Sequence, residues 1–137
     1  MPERLDHIAV IVDSVDRMGA FLRDVLHMKL VIERDFPDMR THFYGYGDAQ
    51  IELIEPLTEE GRTARLGDVQ ARLEHIAIQV DDLPATIAEL TPKGVQANSE
   101  PRLIGTNLSI WTVPETSGGV QFQFMQKDAV KPETPAG

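Results

Sequence analysis

The chain has 137 residues, of which 42% are hydrophobic and 26% are charged, a composition typical of one globular domain. Its 13 Lys and Arg against 22 Asp and Glu give a formal net charge of −9, which argues against nucleic acid as a partner, because phosphate binding draws on clustered positive charge. We find no apolar run near the ~20 residues that cross a bilayer and no signal-peptide pattern, so we expect no membrane partner and a cytoplasmic location. The absence of cysteine excludes disulfides, thiolate catalysis and Cys-ligated zinc.

The first predicted element is a strand that occurs twice. Residues 5–12 read LDHIAVIV and residues 73–80 read LEHIAIQV, so His7 and His75 hold the same place in two copies of one phrase. Both phrases place apolar residues at alternate positions on a β-rich background, which predicts a half-buried strand. The chain is therefore predicted to be an internal duplication.

A helix is predicted after each of these strands. Asp13 and Ser14 are candidate N-caps for the first helix, Asp81 and Asp82 are candidate N-caps for the second, and Gly94 is a suitable stop for the second helix. The first helix has an apolar stripe with the spacing of an amphipathic helix. That stripe consists of Met18, Phe21, Leu22, Val25 and Leu26.

A hairpin is predicted to end each half. Residues 40–47 and 49–55 are expected to pair across a turn at Gly47-Asp48. Residues 107–113 and 119–125 are expected to pair in the same way, with PETSGG between them. Each half then reads as β-α-β-β, with an optional further strand, and IELI of the first half matches FQFM of the second.

The domain prediction is a single domain, residues 1–137, built from two such modules at about 3–57 and 72–126. The polar segment 57–72 between them is predicted to be a loop with a short helix. Residues 127–137 contain two prolines and no apolar periodicity, and they are predicted to be a loose tail.

Four polar residues are predicted to share the faces of these strands that point away from the helices. Because side chains alternate along a strand, His7 and His75 point away from the core, and so do Glu52 and Gln123 on the last strand of each half. Two imidazoles with oxygen donors suit a divalent ion such as Zn, Co, Ni, Mn or Fe(II). A lone strand histidine is more often structural, and it is the repetition that favours a metal site. The facing of His42 stays open, because a one-residue slip of its hairpin would invert it.

These segments resemble the vicinal oxygen chelate superfamily, which includes glyoxalase I, the extradiol dioxygenases and the bleomycin resistance proteins. Within it they most resemble the methylmalonyl-CoA epimerase branch. The resemblance is carried by LDHIAVIVDSV, FLRDVL, GDAQIELIEPL, LEHIAIQVDDL, EPR and the P-x-x-x-GGV of residues 114–120. It implies an α+β fold in which paired βαβββ modules form a cupped mixed sheet around one metal ion. The implied ligands are His7, Glu52, His75 and Gln123, and Gln123 departs from the glutamate of the epimerases.

The resemblance also implies a reaction: a metal-dependent epimerase or isomerase that removes a proton next to a carbonyl. Glu52 is then the candidate base, and inversion at carbon would need Asp38 or His42 as a second acid or base. The implied partner is a small carbonyl compound, possibly an acyl-CoA, and homodimers are common in the superfamily. The residues expected to bind the substrate are Arg40, Tyr44, Arg102 and Trp111.

Three other functions stay open at this stage. A lyase like glyoxalase I would use the same proton chemistry. An extradiol-type dioxygenase would use the two histidines and Glu52 as a facial triad for Fe(II). A non-catalytic binding or resistance protein would use the cleft without turnover, although proteins of that kind generally lack the metal ligands that this chain has.

Overall fold

The structure is a computed structural model that describes residues 2–129, with side chains from residue 4 onward. The chain divides into two compact units. We call residues 6–75 the first unit, and residues 2–5 together with 76–129 the second unit. The strand that carries the second copy of the repeated phrase is divided between the units: its first part, which ends at His75, belongs to the first unit.

The described chain contains eight strands and three α-helices. The strands are β1 (Pro2–Val12), β2 (Lys29–Asp35), β3 (Met39–Tyr46), β4 (Ala49–Pro56), β5 (Ala71–Val80), β6 (Arg102–Ile104), β7 (Asn107–Trp111) and β8 (Phe122–Gln126). The helices are α1 (Val15–Asp24), α2 (Glu59–Arg65) and α3 (Leu83–Leu90). Over residues 2–129 no helix has the length and apolar character needed to span a bilayer.

The first unit has the strand order β2-β3-β4-β1. Strand β1 runs parallel to β4, and β3 is antiparallel to both of its neighbours. Helix α1 covers one face, where Leu22, Tyr44 and Leu53 are at most 1% exposed. The opposite face carries a second apolar cluster of Ala9, Ile11, Ile54 and Leu66. Both faces of β1 and β4 are therefore packed, and polar side chains on the second face are buried with it.

Helix α1 is held at its start by two side chains. Ser14 accepts a hydrogen bond from the Arg17 amide at 3.1 Å, and Glu55 of β4 accepts one from the Val15 amide at 2.9 Å. Both bonds satisfy amides that have no partner within the helix, and the charge of Glu55 suits the positive end of the helix dipole. Glu55 thereby fixes α1 to the strand that also carries Glu52.

The second unit has the order β5-β8-β7-β6, with β5 parallel to β8. Helix α3 is capped by Asp82, which accepts from the Ala85 amide, and packs on Val80, Ile110 and Phe124. Between β7 and β8 the chain reverses through Gly118 and Gly119, whose φ angles of 77° and 90° favour glycine. Each unit thus has the same arrangement of one helix on a four-stranded sheet.

The structure confirms the α+β class and the paired βαβββ modules. The turn at Gly47 and the short helix between the modules are present. The residues of two strands, β2 and β6, were not located from the sequence: six of the seven residues of β2 and all three of β6 are exposed, so neither carries a clear alternation. The predicted tail begins in a described turn, where Asp128 contacts the β6–β7 hairpin, and lies outside the described residues from 130 onward.

Candidate metal centre

His7 and Glu52 are brought together by the register of two parallel strands. Ala9 of β1 is aligned with Glu52 of β4, and His7 lies two residues before Ala9 on the same face of β1. Ala9 is fully buried, and its side chain is a single methyl group. His75 comes from β5, and a hydrogen bond from the Asp13 amide to the Gln70 carbonyl at 3.0 Å joins the residue after β1 to the residue before β5.

The three side chains meet at single atoms. His7 Nε2 lies 3.3 Å from His75 Nε2 and 3.3 Å from Glu52 Oε1, and His75 Nε2 lies 3.7 Å from Glu52 Oε1. The His7 and His75 side chains are 6% and 8% exposed, and the Glu52 side chain is 12% exposed. We call these three residues the ligand triangle.

The ligand triangle has the dimensions of a metal site. Ligand atoms about 2.0–2.2 Å from one divalent ion are separated from each other by roughly 3.0–3.6 Å, and the observed edges of 3.3–3.7 Å are close to this range. Two imidazoles and one carboxylate also form a donor set that Zn, Co, Ni, Mn and Fe(II) accept. The three residues can therefore hold a divalent ion.

His7 has a further partner that favours its charged form. Its Nδ1 lies 2.7 Å from Oδ2 of Asp6. Burial is the largest single influence and lowers the pKa of His7, but the hydrogen bonds to Asp6 and Glu52 and the charges of both carboxylates outweigh it and raise the pKa from 6.5 to about 9. In the absence of an ion, His7 is thus held protonated by the acids around it.

This shift makes the stability of the metal-free protein depend on pH. The folded-state pKa of about 9 exceeds the unfolded value of 6.5, so the stabilisation is complete below pH 6.5 and is lost as the pH rises through 9. We expect urea unfolding to show a loss of up to about 3 kcal/mol across this window, and His7→Gln to lack that component. Parallel pH curves for the two proteins would contradict the assignment.

The surroundings of the ligand triangle are apolar. The ring of Phe43, which is aligned with Glu52 across the β3–β4 pair, meets the His7 ring edge-on with centroids 5.4 Å apart. Leu66, just after α2, packs on Ile11 and Ile54 on the same face of the sheet. Sequence reasoning did not identify Phe43 as part of this site, although fixing the hairpin register at Gly47 would have placed it opposite Glu52.

The two residues predicted as a second acid or base lie elsewhere in the first unit. His42 is aligned with Leu53, which packs on α1, so its side chain is on the opposite face from Glu52. There its Nε2 lies 3.5 Å from Oε1 of Glu33. Asp38 is exposed and precedes Met39, which is four residues, or roughly 13 Å, along β3 from Phe43. The structure does not bring either residue to the ligand triangle.

The predicted substrate-binding residues are divided between the two units. In the first unit, Arg40 pairs with Asp35 at 3.3 Å and with Asp16 at 3.6 Å, near the start of α1. Tyr44 is buried under α1, where its hydroxyl accepts from Arg23 at 3.1 Å. Both residues are therefore on the helix-covered face and not on the face of the ligand triangle.

In the second unit, Gln123 occupies the place that Glu52 has in the first. It is aligned with Ala77 of β5, two residues after His75, as Glu52 is with Ala9. Trp111 is aligned with Gln123 as Phe43 is with Glu52. The Gln123 amide donates to the buried Ser109 hydroxyl at 3.1 Å, and the exposed Arg102 is aligned with Ser109. These residues share one face of their unit, and Gln123 as a fourth ligand stays a prediction.

The fold and the site thus define a class of protein: two βαβββ modules with a cluster of two buried histidines and one glutamate that could hold a metal ion. The model of the Glyoxalase/Bleomycin resistance protein/Dioxygenase superfamily matches residues 4–124. The chain belongs to this superfamily, as the sequence resemblance predicted.

Curated relatives in the family include enzymes of two kinds. The chain is 29% identical over 129 residues to the mitochondrial methylmalonyl-CoA epimerase of Mus musculus, covering 90% of this chain and 72% of the relative. It is also 29% identical over 126 residues to the lactoylglutathione lyase of Neisseria meningitidis, covering 90% of this chain and 91% of the relative. Among solved structures, methylmalonyl-CoA epimerase from Mycobacterium tuberculosis superimposes on this chain with a TM-score of 0.78 at 27% identity. The match covers 90% of this chain and 87% of the epimerase. These relatives are enzymes, and the two activities are equally near in sequence.

Proposed function

We propose that this protein is a metal-dependent enzyme that transfers a proton at the carbon next to a carbonyl group, with Glu52 as the base. The observation that carries the proposal is the ligand triangle, in which one carboxylate lies within 3.7 Å of two buried imidazole nitrogens. The epimerase and lyase relatives support it, since both names denote reactions at such a carbon.

The proposed roles follow from the donor set. His7 and His75 bind as neutral imidazoles, and Glu52 supplies the negative charge. A divalent ion held by these residues would supply Lewis acidity that polarises a carbonyl oxygen and stabilises negative charge on it. Glu52 has a second carboxylate oxygen besides the Oε1 that faces the imidazoles, and we assign proton removal to that atom. Phe43 and the cluster around Ile54 exclude water from this face.

Within this class, the first unit favours a reaction with a single base. Epimerisation replaces the proton on the opposite face of the carbon, which needs a second acid, and neither Asp38 nor His42 lies at the ligand triangle. A single base can instead return the proton to the neighbouring carbon, as an isomerisation of the lactoylglutathione lyase type requires. An epimerase of the methylmalonyl-CoA type is the second candidate, and the similarity to the mouse and mycobacterial proteins favours it.

Deuterium exchange tests the proposal and separates its two forms. The protein, loaded in turn with Zn, Co, Ni and Mn, is incubated in D₂O with methylmalonyl-CoA or with the glutathione hemithioacetal that isomerises to lactoylglutathione. We expect ion-dependent deuterium incorporation into one of the two compounds, abolished by a chelator. The proposal would be overturned in favour of a dioxygenase if neither compound incorporated deuterium and the Fe(II)-loaded protein consumed oxygen when given catechols. The cytoplasmic location and the homodimer stay predictions.

A further inference from the structure

We propose that Asp6 is a positioning residue of the metal centre: its carboxylate fixes the tautomer and orientation of His7 and thereby sets the affinity of the site for a divalent ion. This inference rests on the proposed function, because it concerns the ion that the ligand triangle is proposed to hold.

The two nitrogens of the His7 ring have different partners. Nδ1 lies 2.7 Å from Asp6 Oδ2, whereas Nε2 points to His75 and Glu52 at 3.3 Å. An ionised carboxylate can only accept, so Nδ1 must donate to Asp6. In a neutral imidazole that carries its proton on Nδ1, the lone pair is on Nε2. Asp6 therefore directs the lone pair of His7 into the ligand triangle.

The setting of Asp6 makes this bond effective. Its side chain is 12% exposed, so little water competes for the carboxylate. A neighbour in sequence can reach Nδ1 because that atom lies close to the histidine backbone, even though adjacent strand residues point to opposite faces. Outer carboxylates of this kind orient metal-binding histidines and strengthen their binding.

The duplicated sequence contains a natural comparison. Glu74 precedes His75 as Asp6 precedes His7, but its Oε2 lies 3.0 Å from Nη2 of Arg65. The other guanidinium nitrogen of Arg65 contacts Met39 Sδ at 3.6 Å, so this ion pair ties the end of α2 to β5 and β3. The two acidic residues have thus taken separate roles: Asp6 acts on an imidazole, and Glu74 anchors the segment between the modules.

The test compares zinc affinity across three variants of the full chain, with folding checked by circular dichroism. Asp6→Asn, which has the same shape, is expected to weaken zinc binding roughly 10- to 100-fold, whereas Glu74→Gln is expected to stay within about 2-fold of the parent. Asp6→Glu keeps the carboxylate and is expected to bind more tightly than Asp6→Asn. Imidazole ¹⁵N NMR of the metal-free proteins, recorded above the His7 pKa of about 9 so that the ring is neutral, reads the tautomer directly: the Nδ1-protonated form of His7 is expected in the parent and a mixture in Asp6→Asn.

The possible failures are distinguishable. If the parent binds none of Zn, Co, Ni and Mn, the proposed function and this inference fall together. If the parent binds zinc and Asp6→Asn matches its affinity and its ¹⁵N spectrum, this inference alone is overturned. An equal loss in Asp6→Asn and Glu74→Gln would also overturn it, because the effect would then belong to surface charge and not to the contact with His7.

Discussion

Glu52→Gln is expected to lower ion-dependent deuterium exchange by about 10²- to 10⁴-fold, the usual contribution of a positioned general base. The amide has the shape of the carboxylate and keeps an oxygen that can coordinate, but it cannot take a proton at neutral pH. The expected loss is therefore in turnover much more than in folding. The measurement is the rate of deuterium incorporation at saturating ion, by mass spectrometry.

The matched control for this substitution is Glu55→Gln. Glu55 lies on the same strand, on the helix-covered face, and its Oε1 accepts the Val15 amide at 2.9 Å, a bond that an amide oxygen can also make. We expect its exchange rate to be close to that of the parent. Full exchange activity in Glu52→Gln would remove Glu52 from the role of base, and equal losses in both variants would point to a general effect on the strand.

His75→Ala is expected to abolish stoichiometric binding of a divalent ion, with an affinity loss of more than about 100-fold, since the loss of an outer partner alone costs roughly 10- to 100-fold. His75 is one of two nitrogen donors in the ligand triangle, and its removal leaves one imidazole and one carboxylate. The measurement is ion content after dialysis, followed by titration.

The control for His75→Ala is His27→Asn. His27 is exposed and has a φ of 59°, and asparagine accepts this left-handed conformation better than other residues with side chains, so the substitution leaves the backbone undisturbed. We expect it to bind the ion like the parent. Retention of one tightly bound ion in His75→Ala would show that the ligand triangle is not the metal centre.

The parts of the fold that the sequence predicts are those with two-residue or helical periodicity. The repeated phrase around His7 and His75 is rich in β-branched residues and has one face that packs on a helix, and α1 and α3 have Ser14 and Asp82 as caps. The position of strand β2 could not be predicted because six of its seven residues are exposed, so the strand shows no alternation of apolar and polar residues. Edge strands of this kind are specified by pairing with a neighbour and not by their own composition.

For the site, strand alternation was sufficient to group His7, Glu52 and His75, since each lies on a strand whose core face is obvious. It was insufficient for His42 and Tyr44, because their hairpin could not be assigned a facing until the pairing of His42 with Leu53 was known. The contact between Asp6 and the His7 ring could not be fixed by periodicity either, because a contact between sequence neighbours leaves no periodic signal. Register is thus the information that the sequence lacked.

The ligand triangle draws on both copies of the repeat, with His7 and Glu52 from the first and His75 from the second, although all three lie within residues 6–75. A polypeptide consisting of one copy would supply to this site a single imidazole and a single acidic or amide donor, too few to retain an ion against water. The proposed metal binding therefore needs donors from both copies of the repeat. Because both copies belong to one polypeptide, those donors are present in equal number at any protein concentration, and each copy carries a different oxygen donor at the matching place, Glu52 in the first and Gln123 in the second.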